Sequence, residues 1–219
     1  PVLHAPSESA PVALSAPPEG EVLGKVVATG LCHTDVAVRN GEMPMPMPAI
    51  LGHEGAGVVV ASGRKSSRLA PGTHVVMSFA SCGDCRACLL GQPSNCESFL
   101  NRNFSGARPN GSCGHAHAGR AIHGAFFGQS SFANYALVEE RHLVPVPADL
   151  PLESLGPLGC GLLTGAGAVL NWMKPQIGDS LAVFGLGAVG MAALMAAKVQ
   201  GCGPLIAVDI QPARLALAL

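Results

Sequence analysis

Four cysteines lie close together in the segment SCGDCRACLLGQPSNC, with the spacing C-x2-C-x2-C-x7-C. They are Cys82, Cys85, Cys88 and Cys96. Four thiolates in a short loop typically form a closed tetrahedral zinc site that stabilises a backbone with little apolar core. Disulfides are one alternative, and an iron–sulfur cluster is another, although its compact pattern has a shorter last gap followed by proline. Because a closed site leaves no position for substrate, we expect any zinc chemistry to occur elsewhere.

Three other residues lie in contexts that allow chemistry, namely Cys32 in GLCHTD, His53 in LGHEGAGVV and Cys160 in GPLGCGLLTGAG. Each alone is a weak signal, because a lone cysteine is usually a small buried hydrophobe and a lone histidine is usually a satisfied core or surface group. Thiolate and imidazole are nevertheless ligands that zinc prefers. The three residues are therefore candidate zinc ligands. Whether they bind one ion together is judged from the order of their segments along the chain.

The glycines of VFGLGAVG form the pattern G-x-G-x-x-G at Gly185, Gly187 and Gly190. The pattern alone is weak, but here it follows the apolar run 181–184, opens a helical stretch and precedes Asp209 by about twenty residues, as in dinucleotide-binding folds. Such glycines let a pyrophosphate approach the helix N-terminus, while the carboxylate accepts hydrogen bonds from the adenosine ribose. This favours NAD over NADP, against the simpler interpretation that Asp209 ends a strand and begins a turn.

The elements that must position these residues fall into two regions. In the first, short β-branched stretches bounded by Gly, Pro, Ser or Asn predict the strands of a barrel-like domain. The predicted strands are 22–28, 57–62, 74–77, 135–138 and 143–146. Residues 100–128 show no periodicity and predict a long loop.

In the second region, after Pro151, the composition shifts towards Ala, Gly and Leu. Helical stretches around 162–172 and 188–199, strands at 181–184 and 205–209, and a further helix beginning at Pro212 predict a βαβ unit. Two strands of a six-stranded dinucleotide fold are then present, so we expect a truncated domain.

Composition excludes some classes of function. With 219 residues, 48% of them hydrophobic, the chain can bury a substantial core. A net charge of −1 and 12% charged residues give no basic surface for nucleic acid. The first residues show no basic region followed by an apolar run, so no secretory signal is visible and we expect a cytoplasmic, reducing compartment. The uncharged run 181–197 leaves a membrane protein as an alternative, although its glycine pattern favours strand, turn and helix over a span.

In their order along the chain, these motifs resemble those of the zinc-dependent medium-chain alcohol dehydrogenases, most closely the aryl (benzyl) alcohol dehydrogenase branch. The resemblance rests on GLCHTD, GHEGAGVV, the four-cysteine segment, FFGQSSFANYAL, GPLGCGLLTGAGAVL and VFGLGAVG. It implies an α/β chain with a β-rich N-terminal part. A GroES-like zinc catalytic domain would occupy residues 1–153, with a structural zinc lobe at 81–97. The N-terminal part of an NAD-binding Rossmann domain, a doubly wound parallel sheet, would occupy residues 154–219.

The resemblance also implies two zinc ions per chain and the residues that bind the second of them. Cys32, His53 and Cys160 would hold a catalytic zinc with its fourth position open, which suits a Lewis acid. The family pattern assigns His33 to the cofactor pyrophosphate, and it adds Thr164 to the glycines and Asp209 as a cofactor-binding residue.

Three further residues match family positions around the catalytic zinc. Thr34 would take the proton of the alcohol, Asp35 would orient the histidine ligand, and Glu54 would lie near the metal. The simpler interpretations are a helix-capping threonine, a surface N-cap aspartate and a solvated glutamate. One position departs from the family, because Ala37 stands where better-known members carry a histidine in the proton relay. A proton would then leave through water or another group.

We therefore predict a zinc-dependent oxidoreductase that transfers hydride between a primary, aromatic alcohol and NAD and gives the aldehyde. Its partners would be the small-molecule alcohol or aldehyde, without nucleic acid or membrane, and further copies of itself in a dimer or tetramer. A zinc-stabilised binding module without turnover and an inactive dehydrogenase fragment are the alternatives.

Overall fold

Residues 7–63 and 68–219 are described by the structure, a computed structural model. The first residues, in which the sequence shows no secretory signal, lie outside this range, as do residues 64–67. The chain divides into two compact units, Pro1–Gly156 and Pro157–Leu219. This division falls three residues after the predicted domain boundary.

The described part of the first unit is dominated by short strands. They are β1 Ala13–Leu14, β2 Glu21–Thr29, β3 Gly55–Ser62, β4 His74–Met77, β5 His115–His117, β6 Arg120–Ile122, β7 Tyr135–Glu139 and β8 Leu143–Pro145. Five of them form an antiparallel sheet in the order β7-β2-β3-β4-β8. The five strands predicted from β-branched runs are confirmed, with bounds that differ by at most two residues.

The inner face of this sheet forms the core of the first unit. Apart from Leu69, which precedes β4, its buried residues come from the strands, and where one strand supplies two of them they are two positions apart, as the two-residue period of a strand requires. They are Val22, Val59, Leu69, Val75, Met77, Ala136, Val138 and Leu143. Strands β2 and β3 approach so closely at Gly57 that a Cβ there would collide with the Lys25 carbonyl oxygen, so this position requires glycine.

Residues 100–128 were predicted to be a long loop, and this prediction is wrong. They contain most of a helix, both strands of the hairpin β5–β6 and a short 3-10 helix. The hairpin forms a three-stranded antiparallel sheet with β1. Strands of three residues are too short to show a period, and pairing with residues about a hundred positions earlier leaves no local signal.

Helices in the first unit are short and connect the strands. They are α1 His33–Arg39, α2 Arg86–Leu89 and α3 Phe99–Phe104. The 3-10 helices of the chain are Pro93–Asn95, Phe126–Gly128, Glu140–His142, Leu152–Ser154 and Gly156–Gly159. The cysteine segment and the segment that begins with Cys32 thus belong to connections, which the sheet holds in place.

The second unit is a βαβ arrangement with a preceding helix. Its elements are α4 Gly161–Gly167, a π-helix Ala168–Met173, β9 Leu181–Phe184, α5 Ala188–Val199, β10 Leu205–Val208 and α6 Pro212–Ala218. Strands β9 and β10 are parallel and pair from Leu181 with Leu205 onwards. Val169, Leu181, Ala196 and Ala197 form the buried core. The apolar run 181–197 is divided between β9 and α5, and in the described part of the chain no helix has the length and apolarity of a membrane span.

Candidate metal centres and cofactor turn

The four cysteines of the lobe surround a common point. Their Sγ atoms all lie within 4.8 Å of one another. Cys82 Sγ is 3.5 Å from Cys96 Sγ and 3.8 Å from Cys88 Sγ. A disulfide needs about 2.05 Å, so these thiols are free. A tetrahedron with zinc–sulfur bonds of about 2.3 Å has edges of about 3.8 Å, so the donor set fits a four-thiolate zinc site.

Backbone amides prepare this site for a cation. The N–H of Cys85 donates to Cys82 Sγ at 3.3 Å, and the N–H of Cys82 donates to Cys96 Sγ at 3.3 Å. Hydrogen bonds from the backbone of Cys88 and Glu97 lower the pKa of Cys85 to about 6. Because metals bind thiolate, not thiol, a cysteine that ionises near neutral pH favours zinc binding.

Residues that follow β7 fix the lobe to the sheet, and the sequence did not single them out. The Arg141 guanidinium donates to the Cys82 carbonyl and pairs with Glu139 at 2.8 Å. His142 Nε2 accepts a hydrogen bond from the N–H of Ser81 at 2.9 Å. Burial lowers the pKa of His142 to about 4, so the ring is neutral and can accept this bond. No spacing rule links residues 139–142 to the lobe, because the contacts depend on the sheet order.

The second candidate centre is built on the start of α1. Cys32 is the N-cap of this helix, with extended backbone angles, and its N–H donates to Asp35 Oδ2 at 3.0 Å. This capping arrangement fixes the turn that carries the Cys32 thiol. Burial opposes ionisation of that thiol, but hydrogen bonds from Thr34 and the charge of His53 outweigh it, so the pKa of Cys32 is lowered.

Asp35 connects this helix start to the segment that carries His53. Its carboxylate is 2% exposed and accepts the N–H of Gly52 at 2.9 Å as well as that of Cys32. His53 Nδ1 lies 3.2 Å from Asp35 Oδ1. Because a carboxylate only accepts, the imidazole carries its hydrogen on Nδ1, and the lone pair is left on Nε2. Burial lowers the pKa of His53, but the hydrogen bond and charge of Asp35 raise this pKa by more, so the net shift is upward.

The lone pair on His53 Nε2 is available to bind a metal ion. Among the described residues, Nε2 of His53 belongs to the few buried polar atoms without a hydrogen-bond partner. The Cys32 thiol, a His53 ring nitrogen and a Glu54 carboxylate oxygen lie within 4.8 Å of one another. Glu54 is 5% exposed. A thiolate, an imidazole nitrogen and a carboxylate are all zinc ligands, so these residues of the first unit fit a zinc ion.

Two phenylalanines enclose the His53 ring, and the sequence did not identify them as part of a site. Phe127 stacks on the imidazole with centroids 4.5 Å apart, and Phe126 meets it edge-on at 5.3 Å. They belong to FFGQSSFANYAL, a segment that the sequence marked only as a family motif. Such an apolar surround limits water around a metal ligand.

Other residues predicted for this site have defined positions. Thr34 Oγ1 lies 3.7 Å from Cys32 Sγ, and Ala37 is buried within α1. His33 is the exposed first residue of that helix. In the second unit, Cys160 is the N-cap of α4, and its carbonyl accepts a hydrogen bond from Thr164 Oγ1 at 2.8 Å. The role of each of these residues stays a prediction.

The glycine-rich turn of the second unit connects β9 to α5. Gly185 has φ +89°, a left-handed conformation that favours glycine. Gly187 is the N-cap of α5. A Cβ at Gly190 would collide with the Gly185 carbonyl oxygen, so only glycine allows this close packing. The turn therefore has the backbone that a phosphate-binding loop requires.

Asp209, directly after β10, is joined to this turn. Its carboxylate accepts the N–H of Leu186 at 2.6 Å and that of Gln211 at 2.8 Å. Arg214 lies 3.6 Å away. These backbone hydrogen bonds, with the nearby guanidinium, hold the pKa of Asp209 below its ordinary value, so the group is an anionic acceptor at neutral pH.

Comparisons with known proteins agree with this architecture. Residues 18–148 match the family described as alcohol dehydrogenase GroES-like domain. The chain is 48% identical over 210 residues to a geraniol dehydrogenase of Castellaniella defragrans, with 95% of this chain and 56% of the relative covered. Its fold matches the crystal structure of an alcohol dehydrogenase zinc-binding domain protein from Burkholderia ambifaria, with a TM-score of 0.96 and 52% identity over 98% of this chain and 58% of the other. It also matches benzyl alcohol dehydrogenase from Acinetobacter calcoaceticus, with a TM-score of 0.90 and 49% identity over 94% of this chain and 56% of the other. The chain thus spans little more than half the length of these relatives.

Proposed function

Because the chain belongs to the zinc-dependent medium-chain alcohol dehydrogenase family, we propose that the whole protein oxidises primary, benzyl-type alcohols to aldehydes with NAD. The observation that carries the proposal is the pair formed by Cys32 and His53. The imidazole is held by Asp35, and its buried Nε2 is left for a metal. An arrangement that fixes one ring nitrogen to direct the other towards zinc is typical of metal centres.

We assign the catalytic zinc to Cys32, His53 and Cys160, and a second, structural zinc to the four-cysteine lobe. When bound, the catalytic zinc would act as a Lewis acid that polarises the alcohol oxygen. The Cys160 assignment rests on the family resemblance, which gives the third ligand at this position of GPLGCGLLTGAG. The chain's own contribution is to fix the donor atoms, of which the His53 ring is buried and the Cys32 and Cys160 thiols are partly buried.

Residues around Cys32 account for the fate of the substrate proton. The Thr34 hydroxyl, 3.7 Å from Cys32 Sγ, can take the proton of an alcohol bound beside that sulfur as it passes its own proton on. The buried methyl group of Ala37 cannot relay it, so the proton leaves through water or another group. Phe126 and Phe127 keep water from the imidazole and favour an apolar substrate.

The cofactor assignment follows from the turn of the second unit. Gly185 and Gly187 leave backbone space for a pyrophosphate at the N-terminus of α5, and Gly190 allows the close packing beneath that turn. The family pattern assigns His33 and Thr164 as further contacts. The anionic Asp209 favours ribose hydroxyls and repels an added phosphate, which supports NAD. A homo-oligomeric assembly and a cytoplasmic location are part of the same proposal.

The benzyl-type substrate is supported by resemblance to a benzyl alcohol dehydrogenase, and the geraniol dehydrogenase likeness makes geraniol a natural comparison substrate. The test uses the protein at the full length of its relatives, with benzyl alcohol, geraniol and NAD, and follows NADH absorbance. We expect turnover of benzyl alcohol, two zinc ions per chain, and loss of turnover and of one zinc in Cys32→Ser. Cys113→Ser, which alters a cysteine outside both groups, is the matched control. One zinc per wild-type chain without turnover would instead favour a zinc-stabilised binding module.

A further inference from the structure

Gln129 is a buried amide whose hydrogen bonds all go to one short stretch of backbone. Its side chain is 1% exposed. Gln129 Nε2 donates to the carbonyl of His53 at 2.9 Å, and Gln129 Oε1 accepts the N–H of Gly55 at 3.0 Å. One side chain thereby satisfies the backbone groups on both sides of Glu54. The two bonds fix the peptide planes that set the direction of the His53 and Glu54 side chains.

The segment that carries Gln129 is itself bonded to the same stretch. Ser130 Oγ donates to the carbonyl of Ile50 at 2.7 Å, and the N–H of Ser131 donates to the carbonyl of Gly52 at 2.9 Å. Phe127 and Ser130 have φ values of +49° and +51°, in the left-handed region that non-glycine residues avoid. Such strain persists only where the surrounding structure over-determines it, and it is concentrated at functional sites.

We propose that Gln129 is a positioning residue for the metal centre, an inference that rests on the proposed function. It holds the His53 and Glu54 backbone in the one arrangement that brings an imidazole nitrogen and a carboxylate oxygen to the Cys32 thiol. Asp35 fixes the His53 ring from its Nδ1 side, whereas Gln129 fixes the backbone from which the ring projects. Ring and backbone are therefore held by two separate side chains from distant parts of the sequence.

A residue that only filled space would leave the metal affinity unchanged once the protein had folded. A residue that positions ligands has a different signature, since outer contacts of this kind typically change metal affinity by about 10–100-fold. We therefore expect Gln129→Ala to weaken zinc binding at the Cys32–His53 centre by about 10–100-fold, with the four-cysteine zinc unaffected. Gln129→Glu keeps the acceptor for Gly55 but turns an acceptor oxygen towards the His53 carbonyl, so it should also weaken zinc binding at this centre.

The experiment is zinc release from the protein at the full length of its relatives into a competing chromogenic chelator, with circular dichroism as a check of folding. Cys32→Ser lacks the centre in question and defines the release curve of the four-cysteine zinc. Gln200→Ala, which alters an exposed glutamine in the second unit, is the matched control and should release both zinc ions as wild type does.

Earlier release of one zinc from Gln129→Ala, with a wild-type dichroism spectrum, supports the inference. Two zinc ions released at wild-type chelator concentrations would overturn it while leaving the proposed function intact. A wild-type chain that releases only one zinc, on the Cys32→Ser curve, would overturn both. If Gln129→Ala does not fold, Gln129→Glu is measured in its place, and unchanged release of both ions from that variant overturns the inference.

Discussion

Asp35→Ala is the change that most sharply tests how the Cys32–His53 centre is held together. The carboxylate accepts hydrogen bonds from three donors, the N–H groups of Cys32 and Gly52 and Nδ1 of His53. Asp35 is 2% exposed, so water cannot easily replace its carboxylate. Alanine removes the acceptor and leaves buried donors unsatisfied.

The expected cost follows from counting those donors. A buried N–H group left without a partner costs about 1–3 kcal/mol, so the buried N–H of Gly52 gives that much, and the part-buried N–H of Cys32 adds a smaller amount. Asp35→Asn keeps one acceptor oxygen but turns an amide donor towards one of the same N–H groups. We expect it to lower the free energy of unfolding by about half as much as alanine does.

Guanidinium denaturation of the chain in excess chelator measures this cost without a contribution from bound metal. The matched control is Asp179→Ala, which removes an exposed carboxylate that accepts one N–H, from Gln176 at 2.7 Å. It should cost less than about 1 kcal/mol. Amide hydrogen exchange at Gly52 gives a local measurement, and its protection should fall in Asp35→Ala. A loss below about 1 kcal/mol for Asp35→Ala, with Gly52 still protected, would show that Asp35 does not hold these segments together.

The remaining predictions concern the cofactor turn. Gly190→Ala should destabilise the second unit by about 1–3 kcal/mol, because the added methyl group would overlap the Gly185 carbonyl. A methyl group at Gly187 meets nothing within 4 Å, so Gly187→Ala should cost less. Equal thermal midpoints for the two variants would contradict this prediction. In the full-length protein, Asp209→Ala should raise the Kd for NAD about tenfold or more, since an anionic hydrogen-bond acceptor is lost, while Asp179→Ala leaves it unchanged. Calorimetric titration with NAD measures both values, and equal affinities would remove Asp209 from the cofactor site.

Local patterns were sufficient for the main sheet, for the βαβ unit and for the four-cysteine lobe. The spacing of Cys82 to Cys96 within one short segment constrains their thiols to meet, because few residues separate them. The strands of the main sheet were visible because β-branched residues alternate with turn residues, and β9 and α5 were visible from the glycine pattern. The family and its fold, inferred from motif order, are confirmed.

Contacts between distant segments were not visible in the sequence. Gln129 and His53 are 76 positions apart, and Arg141 and Cys82 are 59 apart. The burial of the Gln129 amide could not be predicted from its neighbours, because FFGQSS has neither a helical nor a strand period. Such residues became visible only when the sheet order brought β7 and its preceding segment next to the strands that carry the site.

The central claim is that Cys32 and His53 hold a catalytic zinc separate from the zinc of the four-cysteine lobe. Anomalous diffraction at the zinc absorption edge, from crystals of the zinc-loaded protein, tests it most directly. We expect two zinc positions per chain, one of them about 2.3 Å from Cys32 Sγ and about 2.1 Å from His53 Nε2. A single zinc position in the lobe, or a second zinc bound away from His53 Nε2, would contradict it.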